Sequence, residues 1–123
     1  HAIESGLSGY IDTHHGAGVG IITPRWMVRT YPSNIEIFAR FARNVMRINQ
    51  EDDNKAAEEG VQAYKNWLKS VNAPLTFKDI APDEKLSKEK LDKAAEITWR
   101  LTGGNIGVIK KWNLDEVKAL LQE

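Results

Sequence analysis

Histidine is the scarcest of the potentially reactive side chains in this sequence. All three copies, His1, His14 and His15, lie within the first fifteen positions. His1 opens a helical stretch, and His14 and His15 stand where the next helix begins. Two antiparallel helix ends joined by a short turn bring His1 and His15 together, and imidazole nitrogens on facing helices are an ordinary way to hold a divalent metal. Spacing alone leaves a plainer reading open. Thirteen residues lie between the two, nothing like HExxH is present, and His15 could simply cap or line a helix start. Gly16, Gly18 and Gly20 lack the spacing and the preceding strand of a dinucleotide loop, and three glycines in five residues suggest that another backbone or a ligand comes close. Trp26, Trp67, Trp99 and Trp112 fall on or beside apolar helical stripes and read as core, with Trp26 a candidate wall of a substrate pocket. The acid pairs Asp52-Asp53 and Glu58-Glu59 read as caps or solvated faces.

The elements that must position these residues are helices. Ile3 and Leu7 stand four apart in a helix that ends near Gly9, and Tyr10 to His14 form a tight connection. From His15, a run of small and then apolar residues predicts a buried helix that Pro24 kinks. Ser33, with Glu36 three residues on, reads as a capping box for a helix carrying Ile35, Phe38, Ala39, Ala42, Val45 and Met46. Ile48 to Asn54 is a polar loop, with Asp53 or Asn54 as the next cap. Ala56, Ala57, Val61, Tyr64, Trp67, Leu68 and Val71 then repeat at helical spacing to about Ser70, and Asn72-Ala73-Pro74 ends the run. Leu75, Phe77 and Ile80 pin a connector. Ser87 caps a helix that closes at Gly103-Gly104-Asn105, and Asn113 caps a last one with Leu114, Val117, Leu120 and Leu121 inside. No stretch alternates for long enough to be a strand. The expected fold is all-α, a helical bundle of five or six helices forming a single domain over residues 1–123.

Composition narrows the function classes. The 123 residues carry 17 Lys plus Arg against 17 Asp plus Glu, a net charge of zero. Nucleic acid is therefore not the expected partner, because phosphate binding needs clustered cations. Cysteine is absent, which fits a reducing, cytoplasmic setting. No apolar run spans a bilayer, and no signal-peptide pattern is present. The first residue is His rather than Met, which predicts further chain upstream.

Three runs near the start carry a resemblance. His1-Ala2-Ile3-Glu4-Ser5-Gly6-Leu7-Ser8-Gly9-Tyr10, Asp12-Thr13-His14-His15-Gly16 and Ile21-Ile22-Thr23-Pro24-Arg25-Trp26-Met27 resemble the iron-containing (group III) alcohol dehydrogenases. Within that family the pattern is nearest the NAD(P)H-dependent butanol dehydrogenases. There, a His-Ala-Ile-Glu-His helix leads through a turn to a His-Gly-x-Gly helix start, with two metal-binding histidines at the interval of His1 and His15. Residues 37–45, 59–61 through 73–76, 104–107 and 114–117 are similar to later family segments at the level of pattern.

The resemblance implies the C-terminal domain of a dehydroquinate synthase-like, iron-containing alcohol dehydrogenase fold. It implies one Fe(II) or Zn(II) ion in a cleft between this domain and an N-terminal nucleotide-binding domain. The ion would polarise the substrate oxygen while hydride passes to or from NAD(H) or NADP(H). His1 and His15 would supply two metal ligands. The family's remaining Asp and His ligands and its glycine-rich nucleotide loop would lie upstream, in a parent that is commonly a homodimer. The substrate class is small primary alcohols and aldehydes, and the 123 residues alone are expected to be inactive. Two positions depart from the pattern. Ser5 stands where the family usually has a second His beside the nicotinamide, and Ser is a poorer acid or base at neutral pH. His14 stands where relatives carry Thr or Pro, either as a substitute proton group or as a solvent-facing loop residue. The rival readings are a self-contained helical binding or scaffold module and a degenerate, non-catalytic relative.

Overall fold

The structure, a computed structural model, describes residues 1–123. It contains six α-helices and no strand, apart from a lone antiparallel bridge between Ile106 and Trp112. The helices are α1 (Ala2–Ile11), α2 (His15–Thr30), α3 (Ile35–Asn44), α4 (Asp53–Ser70), α5 (Lys88–Leu101) and α6 (Leu114–Leu121). The all-α expectation holds. The chain packs as two compact units, residues 1–23 with 74–123 and residues 24–73, so α2 gives its first half to one and its second half to the other.

In the first unit, α5 packs against both α1 and α6. The α1–α5 contact is close because Gly6 has no side chain. A Cβ there would run into the Thr98 hydroxyl and the Ala94 carbonyl. Thr98, buried with its hydroxyl, donates to the Ile3 carbonyl at 3.1 Å, so a polar group inside the contact is satisfied by backbone of the neighbouring helix. Ile3, Leu7, Leu91, Ala94, Ala95, Val117, Leu120 and Leu121 are all buried. Helix α1 runs two residues beyond Gly9. Asp12 rather than glycine takes the left-handed C-cap conformation, at φ 61°, and its N–H donates to the Ser8 carbonyl. Of the three expected pins in the connector only Phe77 is fully buried, while Leu75 is exposed. Ser87 and Asn113 cap α5 and α6 as expected, the latter in a reciprocal capping box with Glu116.

In the second unit α3 and α4 pack face to face through small residues. Gly60 lies against Ala42, and Ala39, Ala42 and Ala56 form a buried cluster with Ile48 beside it. Arg43 fixes the intervening loop by donating to the Gln50 and Glu51 carbonyls at 2.8 and 2.7 Å and pairing with Asp53 at 2.7 Å. Two cap expectations shift by one residue. Asn34, not Ser33, caps α3, because Pro32 starts a 3-10 turn over Tyr31–Ser33 that absorbs Ser33. Asp52 caps α4, accepting from the Lys55 N–H at 2.9 Å. Val45 and Val71, expected inside, lie past the ends of their helices and are exposed.

Candidate metal centre

The turn after α1 returns the chain so that the first residue of α2 comes back beside the first residue of the sequence. Nδ1 of His1 and Nε2 of His15 stand 3.3 Å apart, with ring centroids 5.3 Å apart and planes tilted by 38°. Tetrahedral geometry and metal–nitrogen bonds of about 2.0–2.1 Å place two ligand nitrogens about 3.3–3.4 Å from each other. The pair therefore has the spacing that two imidazoles need to share one ion. No cluster of three or more His, Cys, Asp or Glu side chains that could hold a metal occurs in the chain, so these residues offer at most part of a ligand set.

Sequence patterns do not single out Glu4 for any function. It lies one helical turn along α1 from His1, is fully buried, and accepts a hydrogen bond from Nδ1 of His15 through Oε2. Ser8, one turn further on, donates its hydroxyl to the same oxygen at 3.3 Å. The other oxygen, Oε1, is buried without a partner. A Cβ on Gly18 would approach Oε1 to 2.5 Å and the Glu4 Cγ and Cδ to 2.9 and 3.0 Å. The room that Gly18 leaves is taken by this carboxylate, not by the backbone or ligand that the run of glycines suggests. A Cβ on Gly20 would have nothing within 4 Å, and one on Gly16 would meet only the His14 ring at 3.7 Å. The sequence does hold a signal for Glu4. That signal is for burial and not for a role: an acid between the apolar Ile3 and Leu7 on one helix falls on the inward face, while His1 at the helix start stays exposed.

The other candidate residues separate. His14 is exposed in the turn before α2. The Ser5 hydroxyl donates to the His1 carbonyl at 2.9 Å, a local helix bond that occupies its only proton. Trp26 packs on Phe38 with centroids 5.9 Å apart, and Trp112 is buried. Trp67 departs from the core expectation. It is half exposed and stacks on Tyr64 at 5.8 Å. The burial that accompanies this stacking raises the Tyr64 hydroxyl above its ordinary pKa. A surface groove of about 720 Å³ lined by Tyr10, Lys88, Asp92, Glu96 and Lys118 includes neither His1 nor His15.

Comparison with known proteins bears on the whole chain. Residues 1–123 match the model of the Fe-containing alcohol dehydrogenase family, C-terminal. The chain is 31% identical to NADH-dependent butanol dehydrogenase B and 28% identical to NADH-dependent butanol dehydrogenase A of Clostridium acetobutylicum, in each case over its full length. The crystal structure of NADH-dependent butanol dehydrogenase A from Thermotoga maritima superposes over 99% of the chain with a TM-score of 0.83 and 32% identity. That of a 1,3-propanediol oxidoreductase superposes over 99% with a TM-score of 0.82 at 22% identity, a likeness of fold alone. The chain spans only 31% of the length of these relatives. It belongs to the Fe-containing alcohol dehydrogenase family and corresponds to the C-terminal part of that family's proteins.

Proposed function

We propose that these residues are the metal-binding C-terminal part of an NAD(P)-dependent alcohol dehydrogenase that interconverts small primary alcohols and aldehydes by hydride transfer. The observation that carries this reading is the 3.3 Å approach of the His1 and His15 nitrogens, a ligand spacing, within a chain of this family. His1 and His15 would hold one Fe(II) or Zn(II), with two further ligands and the nucleotide pocket contributed by an N-terminal domain of the same protein. When bound, the ion acts as a Lewis acid on the substrate oxygen. The work of this chain is positional. The turn at residues 12–14 sets the two rings side by side, and an ion held between them would define where the substrate oxygen binds.

Ser5 favours a second reading, a relative that keeps the fold and the metal without turnover, because its hydroxyl is bonded to the His1 carbonyl where the family pattern has an ionisable imidazole. One experiment separates the two. The full-length protein is purified, its metal content measured, and oxidation of primary alcohols followed with NAD and with NADP. The proposal expects about one metal per subunit, turnover that is lost in His15→Ala, and no turnover by residues 1–123 alone. Full metal content without turnover on any primary alcohol establishes the second reading, and a metal-free, inactive protein rejects both. No helix is long and apolar enough to cross a membrane.

A further inference from the structure

We propose that Glu4 is the positioning residue for the metal ligand His15: its buried carboxylate holds the hydrogen on Nδ1 and thereby aims the Nε2 lone pair at the point shared with His1. The inference deepens the metal reading above and rests on it. Nδ1 of His15 lies on Oε2 of Glu4, and in this proposal the carboxylate oxygen accepts the hydrogen that this nitrogen carries. In a neutral ring the lone pair is then on Nε2, which is the nitrogen facing His1 at 3.3 Å. The side chain of His15 is about half exposed, at 52%, so nothing about burial alone would fix its ring. Glu4, fully buried, is the rigid partner.

The carboxylate is not placed to be a ligand itself. Oε2 already serves His15 and Ser8, and Oε1 abuts the backbone of α2 at Gly18. Gly18 is the second part of the arrangement, because any side chain there would displace the carboxylate. A carboxylate behind a ligating imidazole fixes its tautomer, restricts its rotation and raises its basicity, and loss of such a partner costs roughly 10–100-fold in metal affinity. Buried acids do not survive on a helix without a partner, and His15 is the only ionisable side chain that Glu4 contacts through a hydrogen bond.

The test uses the full-length protein and Co(II) and Zn(II) as probes, in wild type, Glu4→Gln, Glu4→Ala and His15→Ala. Affinities are measured by competition with a chelator, and the Co(II) proteins are compared by ligand-field absorption. Glu4→Gln keeps the packing and a carbonyl acceptor but removes the charge. It should weaken binding roughly tenfold and shift the Co(II) bands, while Glu4→Ala should fall toward the hundredfold end. A shift in the Co(II) spectrum is something that a purely structural role for Glu4 would not produce in the isosteric variant. Should Glu4→Ala fail to fold, Glu4→Gln decides alone. Affinities within about twofold of wild type and an unshifted Co(II) spectrum in Glu4→Gln, with binding lost in His15→Ala, would overturn the positioning role and leave the metal reading standing. Undiminished binding in His15→Ala would remove the metal reading and this proposal together.

Discussion

Two glycines two residues apart on α2 should respond oppositely to the same substitution. Alanine in place of glycine inside a helix gains about 0.8–1.0 kcal/mol from propensity alone. At Gly20 nothing lies within 4 Å of the new methyl, so Gly20→Ala should stabilise by roughly that amount. At Gly18 the methyl would meet Oε1 of Glu4 at 2.5 Å and its Cγ at 2.9 Å, well inside van der Waals contact. Overpacking of this kind costs about 1–3 kcal/mol. Displacing the carboxylate also weakens its hydrogen bond to His15, of a charge-assisted class worth about 1.5–3 kcal/mol and here at the lower end because His15 is half exposed. After the propensity gain is deducted, Gly18→Ala should destabilise by about 1–3 kcal/mol. Urea unfolding, with slopes unchanged between variants, reads both values. In a Glu4→Ala background the cost of Gly18→Ala should largely vanish, since the atoms it strikes are gone. A Gly18→Ala protein as stable as Gly20→Ala, in the presence of Glu4, would refute the packing argument.

Other consequences follow from the same contacts. His15→Ala in the metal-free protein leaves the buried Glu4 with Ser8 as its remaining hydrogen-bond partner and should cost about 1–3 kcal/mol in urea unfolding, a cost that added Glu4→Leu reduces. Gly6→Ala drives a methyl into Thr98 and the Ala94 carbonyl and should destabilise by about 1–3 kcal/mol, lowering the thermal midpoint. The Asp79 carboxylate is held below its ordinary pKa chiefly by the Thr76 N–H and then the Leu75 N–H, Asp92 chiefly by its hydrogen bond from Lys88, and Glu96 by Lys118. Because their folded-state values are depressed, the stability they contribute is complete above the usual carboxylate range of about 4 and is lost as pH falls through it and below. Thermal midpoints should therefore decline below about pH 4, and Asp79→Asn should make that acid limb shallower.

What could be read from the sequence depended on whether the signal was local. The caps at Ser87 and Asn113, the end of α4 at Ser70 and the left-handed closure at Gly103 and Gly104 are decided within a few residues, and each lies where the side-chain chemistry put it. Ser33 failed as a cap because Pro32 favoured a 3-10 turn that a capping-box pattern does not take into account. Trp67 failed as core because hydrophobic spacing marks a face without saying how much of it a neighbour covers. The pairing of His1 with His15 was legible, since a short turn between helix ends leaves few alternatives. The contact of Glu4 with Gly18 was not. It joins a side chain to the absence of one across fourteen residues, and only coordinates reveal that the glycine makes room for an acid.

In the proposed metal centre His15 presents Nε2, and His1 an imidazole nitrogen, to a single ion. A crystal of the metal-loaded full-length protein, measured at the absorption edge of its metal, tests this without reference to activity. One anomalous peak is expected about 2.0–2.2 Å from Nε2 of His15 and from a ring nitrogen of His1, with Nδ1 of His15 still on Glu4. A peak bound to Nδ1 of His15, or a metal that touches neither histidine, would contradict it.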